Sequence, residues 1–173
     1  MLVLGGARSG KSRFAQELAA ASGCGVTFVA TASPGDEEMA RRIEAHRGAR
    51  PAEWRTVETE FDPARAISRT KAGSAVLLDC LSLLVSNLLL RDEDVVDAEV
   101  EKLVLAEVEA IFDASERLKL LVVVSNETGQ GVVPPTPLGR RYRDLLGTAN
   151  QRAAGRSGTV YLMVAGIPVK IKP

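Results

Sequence analysis

Residues 2–12 read LVLGGARSGKS, and this stretch decides the fold. An apolar run, Leu2 to Leu4, leads into GGARSGKS at 5–12, which matches G-x-x-x-x-G-K-[ST]. A helical pattern follows from Lys11 through Phe14, Leu18 and Ala21. The strand before and the helix after are the context this motif needs to carry meaning. Glycines let the backbone curl so that successive N–H groups point inward at phosphate oxygens, and the helix adds its positive end. Gly5, Gly6, Ala7, Arg8, Ser9, Gly10, Lys11 and Ser12 are therefore nucleotide-binding candidates. Lys11 reaches the β and γ phosphates as a catalytic cation, and Ser12 offers its hydroxyl to Mg²⁺.

Working outward, short apolar runs at Val26 to Thr31, Ala75 to Asp79, Leu120 to Ser125 and Thr159 to Ala165 alternate with helical patterns. Most of these runs are apolar without strict alternation, as in strands buried on both faces of a parallel sheet. A further run, Gly166 to Lys172, follows so closely that it predicts a terminal antiparallel hairpin, with Pro168 marking an edge strand. The expected fold is α/β: a P-loop NTPase of the RecA-like kind, its mostly parallel sheet flanked by helices and closed by a C-terminal antiparallel hairpin. No repeat, low-complexity tract or linker divides residues 1–173, which read as one domain. Asp92 to Glu116 carries ten acidic residues and one Lys. Val96, Val100, Leu103, Val108, Ile111 and Phe112 recur at helical spacing there, which predicts an amphipathic helix with a solvated acidic face.

Composition bounds the function. With 22 basic and 22 acidic residues the chain has no net charge, which excludes the broad basic footprint of a non-specific nucleic-acid binder. The core must be aliphatic, because only 4% of residues are aromatic. Cys24 and Cys80, the two cysteines, lie in no CxxC pattern and far from the single histidine, so a zinc site or disulfide framework is not expected. No apolar run approaches the roughly 18 residues of a membrane helix. Glycine interrupts the first apolar residues before any secretory leader forms, so the expected location is a reducing cytoplasm.

Three further places carry chemistry. Asp79 ends the run Ala75 to Asp79, where a P-loop protein keeps a carboxylate for the Mg²⁺ shell; the same residue suits the cap of the following helix, and the two roles are compatible. Residues 41–56, RRIEAHRGARPAEWRT, gather Arg41, Arg42, Arg47, Arg50 and Arg55 around His46. Arginines clamp phosphate bidentately, and a histidine among them suits attack on phosphorus or general base catalysis, but composition alone favours a solvated surface histidine and the spacing does not promote His46 to catalysis. The loop from Asn126 to Pro135 follows an apolar strand at the end where parallel sheets bind ligands. Gly129 and Gly131 in that loop suit either close approach to a ligand or ordinary flexibility. The next helix brings Arg140, Arg141 and Arg143, which face anionic substrate or water.

Read together, GGARSGKS, ARRIEAHRGARPAEWRTVE, VLLDCLSLLVSNLL, VSNETGQGVVP, RYRDLLGTANQ and AGIPVKIK resemble the bifunctional adenosylcobinamide kinase/adenosylcobinamide-phosphate guanylyltransferase family of cobalamin biosynthesis. The resemblance spans nearly the whole chain in order. It implies phosphorylation of adenosylcobinamide by ATP or GTP, then transfer of GMP from GTP to that phosphate through a guanylylated histidine, giving adenosylcobinamide-GDP. His46 matches that histidine. The resemblance also implies nucleotide contacts at residues 5–12, at Ala30, Thr31 and Ala32, at Arg47, Gly48, Ala49 and Arg50, and at Glu58 and Asp79. It implies a homotrimer in which the histidine segment of one subunit approaches a neighbour's site. Two departures stand out: Ala45 replaces a second histidine, which leaves His46 as the only one able to react, and Asp79 replaces a frequent Glu, so that its metal contact runs through water. The alternatives are a single-function P-loop kinase with a structural histidine, and a GTP-binding switch.

Overall fold

The structure, a computed structural model, describes residues 1–32, 37, 44, 47, 48, 50–91 and 97–173. His46, Ala45, Ala49, Arg41, Arg42 and Val96 lie outside the described residues. In chain order the elements are β1 (Leu2–Gly5), α1 (Lys11–Ala20), β2 (Val26–Ala30), β3 (Arg55–Glu58), α2 (Pro63–Ser68), β4 (Ala75–Asp79), α3 (Leu81–Leu90), α4 (Asp97–Ala114), β5 (Leu120–Val124), α5 (Pro137–Arg156), β6 (Val160–Val164) and β7 (Ile167–Lys172). The seven strands form one sheet ordered β3-β2-β4-β5-β1-β6-β7. Every pairing is parallel except β6 with β7. The fold is therefore α/β as expected, with the C-terminal hairpin in place and β7, with Pro168, at the sheet edge.

Continuous apolar runs make this sheet because both of its faces are covered. Along β1, Leu2 and Leu4 join the core beneath α3, α4 and α5, while Val3 faces the opposite cluster with Ala15 and Ala19 of α1. Alternate residues of a strand point to opposite faces, so a strand buried on both has no room for polar residues. β3 escaped the sequence reading because it is an edge strand, mostly exposed, with the sequence Arg-Thr-Val-Glu. α2 escaped it because six residues are too few to show a helical period; Asp62 caps it, accepting from Arg65 N, and Pro63 starts it.

α4 corrects the sequence reading twice. Its buried stripe is Val100, Val104, Val108, Ile111 and Phe112, and Leu103 is exposed because it lies one position off that stripe. The acidic side is also no purely solvated face. Glu109 pairs with Arg152 (2.8 Å) and with Arg156 of α5, and Asp113 pairs with Arg156 (2.7 Å). Asp97 meets Arg141 at 2.5 Å, and Glu107 accepts from Ala64 N at 3.0 Å, tying α4 to the start of α2. Exposed pairs of this kind contribute under about 1 kcal/mol each, so their main effect is to set the register between helices.

Candidate active site

The sheet places the P-loop and Asp79 with one strand between them: β1 ends at Gly5, β4 ends at Asp79, and β5 lies between the two. The loop from Gly5 to Gly10 then turns back into α1. Gly5 (φ +151°), Arg8 (φ +55°) and Gly10 (φ +92°) all have positive φ, the local geometry that makes a concave row of N–H groups. Gly10 caps α1 without a side-chain bond, which leaves the first-turn amides of a ten-residue helix directed at the loop mouth. Lys11 reaches back across that mouth and donates to Gly6 O at 2.6 Å. The hydroxyl of Ser9 is buried there without a hydrogen-bond partner.

Close packing locks this loop to the end of the sheet. Gly166 N donates to Ser9 O (3.0 Å), and Glu127 N donates to Gly5 O (3.0 Å). A Cβ on Gly5 would stand 2.7 Å from Ser9 Oγ and 2.8 Å from Met163 O, whereas one on Gly6 would meet nothing within 4 Å. Gly5→Ala is therefore expected to destabilise the fold by about 1–3 kcal/mol through strain and overpacking. Gly6→Ala is expected to stay within about 0.5 kcal/mol of the parent. Urea midpoints of the two variants check this, and equal midpoints would refute the locked loop.

Electrostatics gather the remaining candidates. Burial is the largest influence on Lys11 and lowers its pKa, while the charge of Asp79 acts to raise it, which places Asp79 within electrostatic reach of the ammonium. Arg50 shows the same order: burial lowers its pKa, and Asp79 and then Glu58 oppose that effect. Its guanidinium stacks on the Phe28 ring of β2 at 3.7 Å, and its buried Nε has no hydrogen-bond partner. Arg47 donates through Nε to Glu58 Oε1 at 3.0 Å and stands 3.6 Å from Glu44. Lys11, Asp79, Arg50, Glu58 and Arg47 thus form a chain of alternating charge from the P-loop to the β3 edge. A cleft of about 460 Å³ opens at that edge, lined by Arg47, Arg50, Trp54, Thr56 and Glu58 among others.

Thr31 serves as a brace. Its hydroxyl donates to Cys80 O (2.7 Å) and accepts from Cys80 N (2.9 Å), and its carbonyl accepts from Asn87 Nδ2 (2.9 Å). The Ala30–Ala32 segment is thereby fixed against the turn after Asp79. Cys80 is buried, and burial pushes its thiol up to about 11, so it stays protonated and unreactive. Of the sequence candidates, residues 5–12, 30–32, Arg47, Gly48, Arg50, Glu58 and Asp79 are described, and His46 and Ala49 lie outside the described residues. The arginines of α5 look elsewhere: Arg140 donates to Pro134 O and Pro135 O, Arg141 meets Asp97 without hydrogen-bond alignment, and Arg143 meets Asp144.

Sequence reasoning missed Phe28 as the platform for Arg50, Asn87 as the anchor of Thr31, and the Glu127 bond to Gly5. No local signal marks any of them, since each depends on strand order. As for Mg²⁺, no cluster of three or more His, Cys, Asp or Glu side chains among the described residues can hold a metal by itself. Ser12 in the first turn of α1, with Asp79 across β5, fits a hard cation that takes most of its oxygens from phosphates and water.

The family described as cobinamide kinase / cobinamide phosphate guanyltransferase matches residues 1–171. The chain is 47% identical over 173 residues to the bifunctional adenosylcobalamin biosynthesis protein CobP of Pseudomonas aeruginosa, covering 99% of this chain and 96% of that one. It is 42% identical over 180 residues to the bifunctional adenosylcobalamin biosynthesis protein CobU of Escherichia coli strain K12, covering 99% of each. The CobU protein of Salmonella typhimurium strain LT2 is 41% identical over the same length, again covering 99% of each. A solved structure from Pyrococcus horikoshii OT3 covers 99% of this chain and 84% of its own at a TM-score of 0.52 and 11% identity, a likeness of fold alone.

Proposed function

The chain belongs to the cobinamide kinase / cobinamide phosphate guanyltransferase family, and from that premise we propose how its residues divide the two reactions. It is a bifunctional adenosylcobinamide kinase and adenosylcobinamide-phosphate guanylyltransferase, and the P-loop is the observation that joins family and chemistry. In the kinase step the loop amides and Lys11 hold the β and γ phosphates of ATP or GTP, and the acceptor hydroxyl takes the γ-phosphoryl group. In the second step the imidazole of His46 attacks the α phosphorus of GTP and pyrophosphate leaves. The phosphate of adenosylcobinamide phosphate then displaces His46 and carries GMP away. Lys11 and the P-loop amides balance charge on the departing pyrophosphate, and Arg47 and Arg50 balance charge at the transferring phosphorus.

Ser12 and Asp79 are the residues that would hold Mg²⁺, and the ion would supply neutralisation of phosphate charge. A homotrimer and a cytoplasmic location belong to the same reading. The exposed Val164, Ile167 and Val169 of the terminal hairpin support the first as apolar surface of the kind a subunit contact covers. For the second, no helix among the described residues is long and apolar enough to cross a membrane. No nucleic-acid partner is part of the reading.

Guanine selectivity has to arise outside the P-loop, since that loop contacts phosphates and not bases. The cleft beside Glu58 is the proposed place: a carboxylate there pairs with the two adjacent donors on the guanine edge, which adenine lacks. Excess unlabelled ATP is therefore expected to leave labelling of the enzyme by α-labelled GTP largely intact, whereas excess GTP abolishes it. Equal competition by the two nucleotides would refute the guanine pocket.

A further inference from the structure

The loop between β5 and α5 is bonded to the P-loop and braced at both ends. At its root Glu127 N donates to Gly5 O. The buried Ser125 hydroxyl donates to Asn150 Oδ1 (2.7 Å), and Asn150 Nδ2 donates to Asn126 O (2.9 Å), so α5 fixes the position of the Asn126–Glu127 turn. At the far end Thr136 accepts from Gly139 N (3.1 Å), and Arg140 donates to the carbonyls of Pro134 (3.0 Å) and Pro135 (2.9 Å). Between these anchors Val132 is 96% exposed and Val133 60% exposed, with Leu138 exposed just beyond them. Two β-branched apolar side chains are thus held outward by a frame continuous with the phosphate-transfer site. Strand order adds the decisive point: β5 lies between the P-loop strand and the Asp79 strand, so this loop emerges where an acceptor must reach the γ phosphate.

We propose that the loop from Asn126 to Leu138 is the acceptor site of the kinase step, with Glu127 taking the acceptor hydroxyl and the Val132–Val133 tip receiving the apolar face of a large amphipathic macrocyclic alcohol. The proposal rests on the kinase reading above and identifies where its second substrate binds. A corrinoid offers what such a site needs: a broad macrocycle and an arm ending in a hydroxyl. In the step itself the acceptor oxygen forms a bond to the γ phosphorus and the bond from that phosphorus to the β–γ bridging oxygen breaks. The nucleoside diphosphate departs with that electron pair, and the hydroxyl proton passes to the Glu127 carboxylate. On this assignment the valine tip serves the acceptor and not the nucleotide, so acceptor binding and nucleotide binding are separable by mutation.

The test compares the Val132→Ser/Val133→Ser double variant and Glu127→Gln with wild type, using adenosylcobinamide as acceptor and α-labelled GTP as an independent probe of the nucleotide site. The double variant is expected to raise the acceptor KM about tenfold or more while kcat and the nucleotide KM stay within about twofold. Glu127→Gln is expected to lower kcat of the kinase step about a hundredfold, with the acceptor KM little changed. Both are expected to accept GMP label as wild type does, with unchanged circular dichroism. An unchanged acceptor KM in the double variant, an unchanged kinase kcat in Glu127→Gln, or loss of GMP labelling in either would overturn the assignment. Absence of any phosphorylated acceptor from the wild-type protein would instead remove the kinase reading itself, a result distinguishable from these.

Discussion

Lys11→Ala is expected to suppress both reactions by on the order of a hundredfold to a thousandfold, the scale seen when one preorganised charge-stabilising donor is lost. Lys11 is the cation built into the mouth of the phosphate cradle, 2.6 Å from Gly6 O and within electrostatic reach of Asp79. Kinase chemistry places negative charge on the transferring group and on the β phosphate, and guanylyl transfer places it on pyrophosphate; one ammonium serves both. The fold itself is expected to survive, because burial already disfavours the charged form of Lys11. Removing a desolvated charge relieves a cost that offsets the lost bond to Gly6 O. Steady-state assays of each half reaction, alongside circular dichroism, check this. Wild-type turnover of adenosylcobinamide by a folded Lys11→Ala protein would remove the P-loop from the mechanism.

His46→Asn is expected to separate the two activities. Phosphorylating a hydroxyl requires positioning and charge stabilisation but no protein nucleophile, so the variant should make adenosylcobinamide phosphate at a rate within about threefold of wild type. Incorporation of GMP should fall below detection, because the amide of Asn keeps size and polarity while lacking a nucleophilic ring nitrogen. The kinase product then accumulates and no adenosylcobinamide-GDP forms. Parallel assays with γ-labelled and α-labelled GTP measure both steps in one preparation. Retained α label in the Asn variant would move the nucleophile to another side chain.

How much of this was legible in the sequence follows the physics of each element. The P-loop was readable because its glycines, lysine and serine are local requirements of phosphate binding, and the positive φ of Gly5 and Gly10 bears out the reason for glycine there. The core strands were readable because burial on both faces demands unbroken apolar runs, and β4 matches its predicted limits, Ala75 and Asp79. β3 was not readable, since an exposed edge strand is under no such demand. The acidic side of α4 looked like a solvated face because sequence holds no record that Arg152 and Arg156, some forty residues later, pack beside Glu109. The same limit hid the contact of Arg50 with Phe28 and the bond from Glu127 to Gly5. These contacts exist because strand order brings together segments far apart in the chain, and no local pattern encodes strand order.

The measurement that tests the central claim most directly uses wild-type protein, GTP labelled at the α phosphorus, and Mg²⁺, with no corrinoid present. The denatured protein is expected to retain close to one label per chain. That label should be lost in acid and kept in alkali, because protonating the free ring nitrogen of an N-phosphoryl imidazole makes neutral imidazole the leaving group. Adding adenosylcobinamide phosphate before denaturation should discharge the label into adenosylcobinamide-GDP. A denatured protein carrying no label, or an adduct that survives acid, would contradict a guanylylated histidine and with it the two-step account.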